Sequence, residues 1–172
     1  MFLVAHWKIN DLISKKADYE YQLTQITQEI EDLKTYAENI ADSGVSIGEM
    51  LSTPGSMYGR QMGYMNASSQ YSQISAMNQM QQLMQTPYYQ QMMAKQDAQV
   101  QQYYQQAMYK SFYDQSMQQF AKYEAKLIHE KEKVLERKKT QIAGDLDICK
   151  TQIQNYEQRA KEGQQRLFGG NG

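Results

Sequence analysis

Few residues in this chain have the type and spacing to do chemistry, and each of them reads better as structure. Cys149 is the single cysteine, which excludes an internal disulfide and any cysteine-based zinc site. A thiol nucleophile needs a positioned base, and none stands near Cys149 in the sequence. His6 and His129 lie far apart, and neither sits at ligand spacing from a Cys, an Asp or a second His. Both read as surface histidines. Asp145 and Asp147, two residues apart on a helix, point to different faces and cannot form a carboxylate pair by themselves. Gly55, Gly59 and Gly63 repeat every four residues but lack the Lys-Ser/Thr ending of a phosphate-binding loop. We therefore expect no enzyme, with no catalytic, cofactor-binding or metal-binding residue.

Two further patterns resolve the same way. Lys131, Lys133, Arg137, Lys138 and Lys139 form a basic run, but Glu130, Glu132 and Glu136 are interleaved and cancel most of its field. Phosphate-neutralising surfaces need excess positive charge on one face, so this is a solvated helix face with internal salt bridges and no nucleic-acid partner is expected. Asn66-Ala67-Ser68 matches the glycosylation acceptor pattern, without a secretory signal to make it relevant.

The chemistry this sequence does favour is contact. Residues 64–119 carry only Lys95, Asp97, Lys110 and Asp114 as charges and are built largely from Gln, Met and Tyr. Met adapts to irregular surfaces, Tyr gives broad amphipathic contact at low entropy cost, and Gln hydrogen-bonds without the desolvation cost of a charge. Met77, Met80, Met84, Tyr88, Tyr89, Met92, Met93, Tyr103, Tyr104 and Met108 are the expected assembly surface. The bland alternative is that they fill the chain's own helix–helix seams.

Charged, heptad-patterned arms flank this middle. In the first, Ile9, Lys16, Leu23, Ile30 and Ala37 share one position, and Leu12, Tyr19, Ile26, Leu33 and Ile40 fall three residues later. That is a seam sustained over more than four heptads, about 48 Å long at 1.5 Å per residue. Ser43-Gly44 is the expected stop. In the last arm, Ala121, Ile128, Leu135, Ile142, Cys149 and Tyr156 hold one position, and Ala125, Leu146, Ile153, Ala160 and Leu167 its partner. Glu132 and Lys139 interrupt the second column, leaving a charged waist over 129–141.

Composition fits thin helical packing. Hydrophobic residues make up 41%, but that share includes 12 Met and 14 Tyr. A narrow seam needs only about two apolar residues in seven. The net charge of −1 removes the repulsion that keeps copies apart. No run approaches the ~20 apolar residues of a membrane span. Met1 to Ala5 lacks a basic leader region, so we expect a product made in the cytoplasm without a cleavable signal, whether or not it then joins an extracellular or virion assembly.

Between the arms, Ser52-Thr53-Pro54-Gly55 is turn chemistry. The glycines at 55, 59 and 63 read as a linker over 45–65, or else as a smooth helix stripe for close approach. Gln and Met favour helix, and Ile74, Met77, Met84, Tyr89, Met93, Val100, Tyr104 and Ala107 recur at helical spacing. Pro87 divides two helices, about 66–85 and 88–119, and the second could continue unbroken to 167. Prion-like disorder is the alternative for this Gln/Tyr-rich tract.

The expected fold is all-α, an elongated helical hairpin or bundle. It has an arm over 1–44, the linker, a helical middle over 66–119, a second arm over 120–168 and a flexible tail over 169–172. In layout the chain resembles the subunits of flagellar and type III secretion filaments, whose terminal helices pair and stack into a tube while the middle faces outward. It carries no flagellin or needle sequence motif. The expected function is a self-assembling structural subunit of a filament, tube or shell, with itself as partner. The alternatives are a coiled-coil adaptor or chaperone for a heterologous helical protein, and a viral structural or scaffolding protein.

Overall fold

The computed structural model describes residues 2–41 and 53–168 and is all-α. Helix α1 is Phe2–Ala41, α2 Tyr58–Met84, α3 Pro87–Met93 and α4 Ala98–Phe168. The stop expected at Ser43-Gly44 and the tail over 169–172 lie outside the described residues. Neither Gly nor Pro interrupts α1, so nothing in its 40 residues costs it helical backbone.

Two boundaries differ from the sequence reading. The linker expected over 45–65 gives way to helix at Tyr58. Met57 N–H donates to the Pro54 carbonyl at 2.8 Å, and Gln61 N–H opens the helical ladder on Met57 at 2.9 Å. Gly59 and Gly63 each cost about 1 kcal/mol of helix propensity, and the good helix formers around them outweigh it. A Cβ built at either glycine meets nothing within 4 Å. Close approach therefore does not explain them.

The second difference is a break that proline does not cause. Thr86 is held extended before Pro87, with ψ at 137°, and its hydroxyl oxygen accepts from Tyr89 N–H as an N-cap. α3 then stops at Met93 instead of continuing into the last arm. Gln101 bridges the break, donating through Nε2 to the Met93 carbonyl at 2.8 Å and the Gln96 carbonyl at 3.0 Å. Its own N–H bonds the Asp97 carbonyl at 2.9 Å. From Ala98, α4 runs to Phe168 with Gly163 inside it.

The chain divides into two compact units, Met1–Glu31 with Lys131–Gly172, and Asp32–Glu130. In the first unit, α1 and α4 pair antiparallel. The Cys149 thiol donates to the Leu12 carbonyl at 3.1 Å, and Lys131 pairs with Glu29 at 2.6 Å. Moving from 12 to 29 on α1 thus corresponds to moving back from 149 to 131 on α4. Ile9, Leu12, Ile30, Leu135, Leu146 and Cys149 are buried in this seam, while Tyr19, Leu23, Ile26, Ile142, Ile153 and Tyr156 are half-buried. Each fully buried Leu or Ile contributes about 1.5–3 kcal/mol.

In the second unit, the end of α1, all of α2 and α3, and the first part of α4 enclose a core of different character. Leu33, Tyr36, Ile40 and Ile128 are its most deeply buried large apolar members. The buried face of α2 mixes Tyr64 and Met80 with the small or polar Gln61, Ser68, Ser72 and Ala76. Ser116 on α4 donates to Ser75 at 2.9 Å, and Gln79 donates to Ser75 at 3.0 Å and to Ser116 at 3.4 Å. Ser68, Ser72 and Ala76 put small side chains on this buried face. Ser75 and Ser116 bond each other, Ser68 donates to the Met65 carbonyl at 3.2 Å, and the buried Ser72 hydroxyl has no hydrogen-bond partner among the described residues.

Candidate interaction surface

A charged clamp ties three helices together inside the second unit. Arg60 on α2 donates through Nε to Glu124 Oε1 on α4 at 2.7 Å. Tyr36 on α1 donates its hydroxyl to the same oxygen at 3.0 Å, and the Arg60 guanidinium lies 5.7 Å from the Tyr36 ring centroid. The Glu124 side chain is only 12% exposed and that of Arg60 33%. Burial, and then the neighbouring Glu124 charge, hold the Tyr36 phenol far above its ordinary pKa. Tyr64, buried beside the same carboxylate, is raised for the same two reasons in the same order.

Around the clamp, Thr53 bonds Gln61 and accepts from Asn39 Nδ2 at 3.0 Å, while Ser56 donates to Asp32. Phe120 lies tilted against both Tyr64 and Tyr71, with ring centroids 5.6 Å apart in each case. Neither the clamp nor these contacts were singled out by sequence reasoning. Tyr36 falls one residue from the heptad seam, at Ala37. A signal did exist in Arg60, the only charge between Glu49 and Lys95. A lone cation in an uncharged stretch needs a carboxylate from elsewhere.

Glu124 also explains a departure on α4. Ala125, assigned to the seam by heptad register, is exposed, and Glu124 takes the inward place. Ala121, Ile128, Leu135 and Cys149 remain buried along the expected column.

The ten residues expected to form an assembly surface separate into groups. Met80, Tyr89 and Met93 are buried within the unit, which corrects their assignment to a surface. Met84, Met92 and Met108 are half-buried. Met77, Tyr88, Tyr103 and Tyr104 are exposed, Tyr88 and Tyr103 by 76% and 70%. They are joined outside by Tyr58, Met62, Tyr71 and Ile74, none of them on that original set. On α2 the arrangement is inverted, with Ile74 61% exposed and Ser72 fully buried.

The candidate chemical residues stay apart. Among the described residues no group of three or more His, Cys, Asp and Glu could hold a metal. His6 and His129 are both exposed, on different units. Cys149 is buried with its thiol on a backbone carbonyl. Asp147 is exposed and Asp145 half-buried, while Asn66 lies within α2. Lys131 of the basic run is engaged with Glu29. No described helix is long and apolar enough to cross a membrane. No family model, curated protein or solved structure matches the chain.

Proposed function

We propose that this chain is a self-assembling structural subunit, whose copies meet through the second unit to build a filament, tube or shell. The observation that carries this reading is the outward placement of large apolar side chains on that unit. Beside a core that includes Gln61, Ser68, Ser72 and Ser116, it leaves Ile74, Met77, Tyr88 and Tyr103 each more than half exposed. Large apolar groups held in water, on a segment with almost no charge, are the usual mark of a contact surface. A second copy brings an equally uncharged face, so no ion is stripped of water without a partner. The clamp fixes the helices that present the face.

Negative-stain microscopy and light scattering of purified chain, over a concentration series, test the proposal. Regular particles that grow with concentration are the expected result. A discrete small oligomer that stays the same size at every concentration refutes it and favours an adaptor or chaperone for another helical protein.

A further inference from the structure

One feature of the first unit plays no part in assembly through the second. A groove of about 400 Å³ runs between α1 and α4, lined on α1 by Lys8, Asp11, Leu12 and Lys15 and on α4 by Gln152, Asn155, Tyr156 and Arg159. Both walls follow the same i, i+3, i+4, i+7 spacing, so each is one continuous helix face. Leu12 is the buried residue among them, its carbonyl held by Cys149.

The charges in this groove do not balance. Asp11 is the lone carboxylate of the lining, and Lys15 already pairs with it at 2.9 Å. That leaves Lys8 on one wall and Arg159 on the other, with two amides and a phenol beside them. Elsewhere in the unit the helices meet by opposite charge, as Lys131 does with Glu29. Here Lys8 and Arg159 line opposite walls and no carboxylate of the lining is left to them, so an anion between the walls is drawn to both. Around the lining the charges are mixed: Lys16, Lys150 and Lys161 stand beside Asp18, Glu20, Asp147, Glu157 and Glu162 in sequence. An extended polyanion such as nucleic acid meets those carboxylates as well as the cations, whereas a compact anion meets the lining alone.

We propose that this groove binds a small, multiply charged oxyanion of phosphate chemistry, held between Lys8 on α1 and Arg159 on α4. Arg159 offers the planar fork that matches two phosphate oxygens, Lys8 acts as a point charge, and Gln152, Asn155 and Tyr156 supply neutral donors. The volume lies within the range of small-ligand pockets, about 300–1,000 Å³, and suits a diphosphate or phosphomonoester.

The chain carries its own reporter. Trp7 is the single tryptophan, and the Lys8 ammonium lies 5.3 Å from its ring centroid. An anion that draws Lys8 toward the groove changes the surroundings of the indole. The experiment titrates the full chain with inorganic pyrophosphate at constant ionic strength and follows Trp7 emission. A saturable change is expected, with a midpoint shifted upward at least about tenfold in Arg159→Gln, since a hydrogen bond to a charged group carries that much. Lys133→Gln, outside the groove lining, keeps the midpoint of the unaltered chain. Both side chains are exposed, and circular dichroism checks that both variants stay folded. An emission change that does not saturate, an equal midpoint in Arg159→Gln, or tighter binding of a single-stranded oligonucleotide than of pyrophosphate overturns the proposal.

Discussion

Arg60 Nε and Glu124 Oε1 stand 2.7 Å apart, joining α2 to α4 across 64 positions of sequence. The same oxygen accepts from Tyr36, so one carboxylate holds three helices. Removing one member leaves the other charge largely out of water without its partner, which is costly in proportion to burial. Glu124→Gln should therefore destabilise the chain by about 1–3 kcal/mol in chemical denaturation. Arg60→Met with Glu124→Leu together should recover part of that loss, because neither then strands a charge. If Glu124→Gln unfolds at the same denaturant concentration as the unaltered chain, the clamp contributes nothing to the fold.

The clamp also gives the protein an alkaline limit. Tyr36 and Tyr64 both have folded-state pKa values raised above the ordinary 10.0. A group raised in this way contributes stability that is complete below the unfolded value and is lost as pH climbs toward the folded one. Thermal stability should be insensitive to these two phenols between pH 7 and about 9 and should fall above pH ~10. The fall should be shallower in Tyr36→Phe. In an ultraviolet titration of tyrosinate, these two phenols should ionise late, and only after unfolding begins. If Tyr36→Phe removes no late-ionising phenol from the titration, Tyr36 is not protected.

Cys149 should resist thiol reagents in the native chain and react at once in denaturant. Its sulfur is 4% exposed by residue and lies 3.1 Å from the Leu12 carbonyl in the antiparallel seam. Fast labelling without denaturant would mean that the first unit opens readily, or that the register pairing residues 12 and 149 is not the one in solution.

The arms were legible because a heptad repeats the same physical demand many times. Ile9, Leu12, Ile30, Leu135, Leu146 and Cys149 each ask for the same buried stripe, and an error at one leaves the others in place. The middle was only partly legible. Gln and Met correctly signalled helix, but the stripe drawn through Ile74 and Met77 faces outward. Hydrophobicity ranks Ile above Ser for burial, yet on α2 the small residues Ser68, Ser72 and Ala76 take the inward face. The break after Met93 was missed because only Pro was counted as punctuation. Asp97, a residue type favoured at N-caps, marks it. The clamp escaped because its members come from three separate helices, and no local spacing brings Tyr36, Arg60 and Glu124 into view.

This inversion allows assembly to be separated from folding by substitution. Ser72 is fully buried and Ile74, two residues on, is 61% exposed. Ser72→Leu forces bulk into the serine seam and should cost about 1–3 kcal/mol of stability. Ile74→Ser should change stability by less than about 0.5 kcal/mol, as exposed substitutions usually do. Replacing Ile74, Met77, Tyr88 and Tyr103 together by Glu should then leave helicity by circular dichroism near that of the unaltered chain. Higher-order particles should disappear, because like charges would face one another wherever two copies meet. Met80→Glu is the contrasting control: Met80 is 7% exposed, and a carboxylate there should unfold the second unit without any need for a partner. If the quadruple variant still forms the same particles by microscopy and light scattering, the outward Met/Tyr face is not the contact. Whatever this protein builds would then be built through the charged arms.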